Sequence, residues 1–479
     1  MAKTQPLGPG DSFFLVTESD NTPNQVGVLV RLKLPKGAPK SYVADMVQHF
    51  KQFPVRQSPF NKKLAPNSIG DPLPSWEVEE DVDLDYHLRH SALPYPGGER
   101  ELAQLISRLH SIPLDHARPM WEIHAIEGLE DGCFAIYSKM HHALVDGVAG
   151  AKMVARWTSV SSEVEENFVP LWSQPKEQRK KRAPRAATQT SSLMEQVTDP
   201  LKSIAGVASA TWDTLLGGRG KGTPGLVAPY SAPETILNVP VGPARRVSIV
   251  EFKTERLKAV AKELGGTLND VVMAMCGGAL RGYLEEQNAL PKKRLVGQVP
   301  VSIRPKDGPE EGNAIGMLLA NLGTDIADPV ERFKAVNQSM TAGKTMLRSM
   351  NKEQITAYAA LLTLPFTIGQ ITGIGNRRRK PMSNVVVSNV PGPQEKRYLN
   401  GAEVLNISPI SFIMQGQALN ITQFSYDDRI SFVYIACRKS LPSVQKLVPH
   451  TEQALKDLED AVKKMKKRKT TTKRTASKK

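Results

Sequence analysis

The chain has 479 residues, 40% hydrophobic and 23% charged, with a formal net charge of +15 at pH 7, too long for one ordinary core, so two domains are predicted. Its three widely spaced cysteines, Cys133, Cys276 and Cys437, exclude a disulfide scaffold and a cysteine metal centre and fit a reducing cytosol. No run of about eighteen apolar residues is present to form a membrane-spanning helix.

Residues 1–160 read as one α/β unit. The start, Met1-Ala2-Lys3-Thr4-Gln5, leads into Pro and Gly and lacks the apolar segment of a secretory signal. Residues 25–34 read as a strand, with Val26, Val28, Val30, Leu32 and Leu34 alternating with other residues. Residues 42–53 read as a helix, as do 100–111, where Leu102, Leu105, Ile106 and Leu109 recur at helical spacing. Residues 121–126 and 133–140 predict a hairpin across the turn-forming stretch 127–132. On the second strand Phe134, Ile136, Ser138, Met140 and His142 share one face. A helix over 147–160 follows, with Val148, Ala151, Met153 and Val154 available for packing.

The junction between that strand and helix reads His141-His142-Ala143-Leu144-Val145-Asp146-Gly147. A histidine with an aspartate four residues on can supply a proton acceptor and a group that fixes its geometry, which suits general-base chemistry on a hydroxyl or amine. The competing reading is a satisfied core histidine. His142 and Asp146 could also ligate a metal, but no third ligand lies at recognisable spacing, and no metal is expected. His142, the histidine of the HxxxD pair, is the expected base. Asp146 is expected to hold the loop through a cap or salt bridge, His141 to orient it, and Gly147 to permit a tight turn or close backbone approach.

Residues 161–240 are polar, basic and rich in Pro, Gly, Ser and Thr, and read as a crossover linker. Within it, 193–216 predicts an amphipathic helix pair packed on the protein. Residues 241–466 read as a second α/β unit. Strands are predicted at 246–252, 294–301 and 383–388, helices at 254–264, 269–286 and 333–350, a hairpin at 419–426 and 430–437, and a final helix at 441–465. Residues 357–374 come nearest to a membrane span, but Thr363, Pro365, Thr367, Gln370 and Thr372 interrupt them, so they read as a helix pair or interfacial segment. Residues 463–479 hold ten Lys/Arg and no acid, and 467–479 are expected to form a disordered tail. With further basic clusters at 176–185 and 377–380, the charge suits a solvated surface or an anionic lipid surface. Interleaved aromatics and nucleic-acid motifs are missing, so no nucleic-acid partner is expected.

Four motifs carry a resemblance. His141 to Gly147 is similar to the HHxxxDG signature of chloramphenicol acetyltransferase, carnitine acyltransferases and nonribosomal-peptide condensation domains. Pro119-Met120-Trp121-Glu122 resembles the Pro-Leu-Trp-Glu motif of bacterial wax ester synthase/acyl-CoA:diacylglycerol acyltransferases, with Met120 where leucine is usual. Thr267-Leu268-Asn269-Asp270-Val271 resembles that family's Asn-Asp motif, and Ser388-Asn389-Val390-Pro391-Gly392-Pro393 its Asn-Val-Pro-Gly-Pro motif. The opening Leu7 to Phe14, with Asp11, also fits.

The resemblance implies an α/β fold of two chloramphenicol acetyltransferase-like domains, each a mixed sheet with flanking helices, and an active site at their interface. It implies acyl transfer from acyl-CoA, a substrate with no further cofactor, to a long-chain fatty alcohol and to diacylglycerol. The enzyme would be cytoplasmic and peripheral to the inner membrane or to lipid inclusions. His142 would take the acceptor's proton for direct attack on the thioester. No GxSxG elbow points to a serine hydrolase instead. Asn269 has two open readings, oxyanion donor or helix N-cap, with Asp270 beside it. Leu144, Trp121, Asn389, Pro391 and Gly392 are candidates for the substrate channel; residues 389–393 are expected to turn near the cleft, and Trp121 reads equally as core. Arg304, Lys306 and the Arg377 cluster are candidates for the CoA phosphates. Ala342-Gly343-Lys344-Thr345 ends like a phosphate loop, but Gln338 replaces its first glycine. Two alternatives stay open: the same fold with an amine acceptor or a carrier-bound donor, and a non-catalytic lipid-surface protein.

Overall fold

The computed structural model describes residues 4–66, 74–165, 167–174, 223–302, 315–351 and 380–476, with residues 354, 355, 358, 361 and 362 in addition. The linker helices expected at 193–216, most of 357–374, Arg304, Lys306 and Arg377 lie outside the described residues.

The N-terminal part runs β1 (Gln5–Pro6), α1 (Pro9–Val16), β2 (Gln25–Lys33), α2 (Tyr42–Phe50), β3 (Lys62–Leu64) and β4 (Ser75–Val78). It continues through α3 (Leu84–His87), β5 (Leu88–Ala92), α4 (Glu99–Ser111), β6 (Trp121–Leu129), β7 (Cys133–His141) and α5 (Gly147–Trp157). The C-terminal part opens with β8 (Arg245–Lys253), α6 (Thr254–Leu264), α7 (Leu268–Glu286), β9 (Val296–Ser302), β10 (Ile315–Asn321) and α8 (Pro329–Ser349). It ends with β11 (Val385–Pro391), β12 (Tyr398–Leu399), β13 (Ala402–Ile410), β14 (Leu419–Tyr426), β15 (Arg429–Cys437) and α9 (Leu447–Ala476).

Two six-stranded mixed sheets form the frame, in the orders β12-β13-β2-β7-β6-β5 and β10-β9-β11-β14-β15-β8, beside a small sheet β1-β4-β3. The first sheet is not built from one end of the chain. β13 crosses over to pair antiparallel with β2, setting Ile407 opposite Val30 and Ile410 opposite Gly27. Without it, β2 would present an open edge of backbone donors and acceptors. The chain then returns to β14, so residues 411–418 bridge both sheets.

The other exposed edge is covered as well. α4 lies along β8, where Ser107 Oγ accepts Val247 N–H at 2.9 Å and Ser111 Oγ accepts Arg245 N–H at 2.8 Å. Two hydroxyls thus stand in for a missing strand. α7 packs closely because Gly277 faces the Leu322 carbonyl; a Cβ there would stand 2.0 Å from that oxygen. In α7 every residue from Asp270 to Gly277 is buried, consistent with a helix enclosed by α6, α8 and α9. The basic C-terminal stretch departs from expectation: α9 continues to Ala476 instead of ending in a tail from 467. Lys, Arg and Met are good helix formers, and Lys466 pairs with Glu263 on α6 at 2.8 Å.

Candidate active site

A cavity of about 1740 Å3 opens between the sheets. Val26, Val28 and Val30 of β2, Met140 of β7 and Val154 of α5 form one wall. Val386 and Val390 of β11, Pro300 of β9, Leu419 of β14 and Phe412 and Met414 of the bridging segment form the other. Alternation along β2 and β7 supplies the apolar face, and the crossover of β13 carries Ile407 and Ile410 onto it. This volume exceeds the roughly 300–1,000 Å3 of an ordinary small-ligand site.

His142 lies on the cavity wall one residue past the end of β7. Its backbone N–H donates to Asn24 C=O at 2.8 Å, and its ring stacks on Phe14 at 3.9 Å with the edge of Phe412 at 5.3 Å. Burial lowers the ring's pKa to about 4, against smaller opposing effects of its own backbone carbonyl and Asp146. The ring is therefore neutral and able to accept a proton across the physiological range. Nδ1 is enclosed and makes no well-formed hydrogen bond, whereas Nε2 is not enclosed in that way.

The flanking residues divide between the cavity and its support. His141 is fully buried; it donates its backbone N–H to Met120 C=O at 3.0 Å and accepts Ala143 N–H on Nδ1 at 3.1 Å. Asp146 is the N-cap of α5, accepting Ala149 N–H at 2.7 Å, and points at the helix rather than the imidazole. Leu144 lines the cavity. Gly147, the first residue of α5, has no positive φ and no neighbour within 4 Å of a built Cβ, so neither a tight turn nor close packing on the protein explains it.

Three expectations are corrected. Trp121 is not a channel residue: it is wholly buried, stacks on His87 at 4.4 Å and donates its indole N–H to Phe60 C=O at 2.7 Å. Residues 389–391 are not a turn but the end of β11, paired parallel with β14 so that Asn389 faces Gln423 and Pro391 faces Ser425. The Gly-Pro that follows had drawn the boundary too early. The N-cap of α7 is Thr267, not Asn269. Asp270 closes that capping box, accepting the Thr267 N–H and hydroxyl at 2.8 and 2.7 Å and Asn337 Nδ2 at 2.9 Å, so it anchors a helix and donates nothing to an oxyanion.

Asn269 lines a smaller pocket of about 260 Å3, with Lys344, Arg348, Pro300, Val301 and Asn389 among its walls. Asn389 Nδ2 donates to Asn269 Oδ1 at 3.1 Å, and Asn389, Pro300 and Val301 border the main cavity as well. Asn389 and Pro391 thus line the cavity, whereas Gly392 meets the Phe424 ring, at 2.3 Å from a built Cβ. The sequence reading missed Phe412, Glu18 and His116 around the histidine pair. Phe14 lay in a segment noted only for its resemblance. No local pattern marks them, because they reach the site from three separate parts of the chain.

Two sheets around an open cleft, with the crossover strand, are the frame of chloramphenicol acetyltransferase-like proteins. The first condensation domain of a calcium-dependent antibiotic synthetase shares it at a TM-score of 0.54 and 15% identity, covering 96% of each chain. Residues 7–272 match the wax ester synthase/diacylglycerol acyltransferase catalytic domain, and residues 311–459 match the C-terminal domain of the same family. The chain belongs to the wax ester synthase/diacylglycerol acyltransferase family. The solved wax ester synthase/diacylglycerol acyltransferase from Marinobacter aquaeolei VT8 is 36% identical at a TM-score of 0.77, covering 96% of this chain and 99% of that one. The O-acyltransferase WSD of Acinetobacter baylyi is 39% identical over 96% of this chain and 98% of its own. A Mycobacterium tuberculosis relative, provisionally named a diacylglycerol O-acyltransferase, is 41% identical over 95% of this chain and 100% of its own.

Proposed function

We propose that the protein transfers a long-chain acyl group from acyl-CoA to the hydroxyl of a fatty alcohol, and also to diacylglycerol, with His142 as general base. The observation that carries this is a neutral imidazole opening into a cavity of about 1740 Å3 with largely apolar walls from both sheets, room for two chains at one reacting centre. His142 Nε2 takes the acceptor O–H proton while that oxygen attacks the thioester carbonyl. The tetrahedral intermediate collapses, the C–S bond breaks, and the CoA thiolate takes the proton back from the imidazolium. Leu144 and Pro391 border the chains, Asp146 and His141 hold the loop, and Asn389 is kept in place by Asn269.

The smaller pocket supports a place for the CoA phosphates. Lys344 and Arg348 stand one turn apart on α8, with no ion-pair partner among the described residues, where the pocket adjoins the main cavity. No helix among the described residues is long and apolar enough to cross a membrane. The exposed basic residues of α9 between Lys463 and Arg468 support a peripheral position on an anionic lipid surface.

The test is CoA release from palmitoyl-CoA with and without hexadecanol. Release that requires the alcohol, with hexadecyl palmitate as product, is expected. Alcohol-independent release would instead mean thioester hydrolysis, and lipid association without release a non-catalytic protein.

A further inference from the structure

We propose that Glu18 is the positioning residue of this site: it locks the segment that carries His142 through two neighbours, Asn24 and His141. The inference rests on the reading of His142 as the base. Glu18 follows α1, and its Oε1 accepts Asn24 N–H at 2.9 Å. Asn24 C=O in turn accepts the backbone N–H of His142 at 2.8 Å. Asn24 Nδ2 donates to Phe14 C=O at 2.6 Å, and Phe14 carries the ring stacked on His142. One carboxylate therefore reaches both the backbone and the ring face of the base.

Its second oxygen works on the other side. Glu18 Oε2 faces His116 Nε2 at 2.7 Å and His141 Nε2 at 3.3 Å. Burial raises the Glu18 pKa, but His116 and His141 outweigh it and hold the carboxyl at about 2, so it is charged in the folded enzyme. The carboxylate raises the pKa of His116 in return, against burial.

Ligand atoms of these three side chains lie within 4.8 Å of one another, close enough for a cation. Glu18 Oε2 and His141 Nε2 are buried without a well-formed hydrogen bond, and the tautomer of His141 favours the other use. His141 Nδ1 accepts Ala143 N–H, so the neutral ring carries its proton on Nε2, the nitrogen that faces the carboxylate. A metal would have to displace that proton; a carboxylate–imidazole contact keeps it.

The site needs such a device. Asp146 is committed to Ala149, and His142 Nδ1 has no well-formed partner, so among the described residues no polar side chain aims the imidazole directly. Its aim comes from packing and from the backbone that Glu18 and Asn24 fix. A misplacement of about 1 Å can cost about a hundredfold in rate.

Full-length Glu18→Ala and Glu18→Gln test this, with folding checked by circular dichroism and thermal unfolding. With palmitoyl-CoA and hexadecanol, Glu18→Ala is expected to lose about 10- to 100-fold in kcat while KM for palmitoyl-CoA stays within about twofold. Glu18→Gln, which keeps an oxygen for Asn24 N–H, recovers part of that loss. The rate at which diethyl pyrocarbonate modifies His142, read by peptide mass, is expected to rise several-fold in Glu18→Ala; this readout needs no acyl transfer. If the wild type transfers no acyl group, the reading of His142 as base fails, while a Glu18-dependent modification rate still upholds the positioning. A folded Glu18→Ala with wild-type kcat and modification rate overturns the proposal. So does stoichiometric zinc in the purified wild type that is lost with Glu18.

Discussion

Two motif regions meet the same cavity from opposite sheets, and they are held in different ways. Residues 141–147 form a loop fixed by groups from distant segments: the Asn24 carbonyl beneath His142, the Glu18 side chain beside His141, and the Phe14 and Phe412 rings around the imidazole. Residues 388–391 are a strand fixed by its ladder with β14. The loop holds reactive groups whose positions depend on side-chain chemistry. The strand offers a wall whose position depends on backbone pairing. Substitutions should therefore damage rate in the first region and folding in the second.

The largest effect should come from the loop. His142→Ala is expected to lower kcat by about 10²- to 10⁴-fold, the contribution of a general base, with thermal unfolding little changed. The wild-type pH profile adds to this. Burial lowers the His142 pKa to about 4, so the base is neutral above that pH and protonated below it. The acid limb of kcat/KM should fall with a midpoint near 4, below the usual histidine value of about 6.5. A midpoint near 6.5 would mean that the ring is solvated in the working enzyme.

A pair of glycines gives the sharpest contrast between the regions. A Cβ at Gly392 would stand 2.3 Å from the Phe424 ring and 2.4 Å from the Ser425 carbonyl oxygen, while one at Gly147 would meet nothing within 4 Å. Gly392→Ala should cost about 1–3 kcal/mol in urea unfolding, as overpacking does. Gly147→Ala should leave stability unchanged and place its methyl where α5 begins beside the cavity, so any loss appears in activity. Equal stability losses at the two positions would erase the distinction between loop and strand.

The sequence disclosed the elements better than their meeting points. Helix 254–264 is visible because its burial follows the helical period, and strand 419–426, buried almost throughout, because it is a short run ending at the turn residues Asp427-Asp428. β13 was not, because its sequence, AEVLNISPI, mixes Asn, Ser and Pro into the strand and its partner β2 lies nearly four hundred residues away. β11 was legible only to Ser388, since Pro and Gly punctuate its end, yet a parallel edge to β14 accommodates Pro391. His142 and Asp146 stand out because their chemistry and spacing are local. Glu18, His116 and Phe412 do not, since proximity created by folding leaves no trace in spacing. Trp121 belongs to a motif, and only the structure shows that the motif serves a core.

Asp146 tests how far the loop's polar residues are structural. Its carboxylate caps α5 and makes no hydrogen bond to His142. Asp146→Ala should cost about 1 kcal/mol of stability, the usual worth of an N-cap, and reduce kcat far less than His142→Ala does. A loss of rate matching that of His142→Ala, in a folded variant, would make Asp146 a partner of the imidazole during turnover and give the loop a second reacting group.

The smallest effect is expected away from both motifs, at the pocket they share through Asn389. Lys344→Ala and Arg348→Ala each remove one cation beside the main cavity. Both groups are at least partly exposed, so each contact with a CoA phosphate is worth at most about 1 kcal/mol and is screened by salt. KM for palmitoyl-CoA should rise several-fold in low salt, less at high salt, with kcat preserved, because the phosphates lie far along the CoA from the bond that changes. Loss of kcat with KM unchanged would show instead that this pocket acts on the reacting centre through Asn389, which would join the strand to the chemistry now assigned to the loop alone.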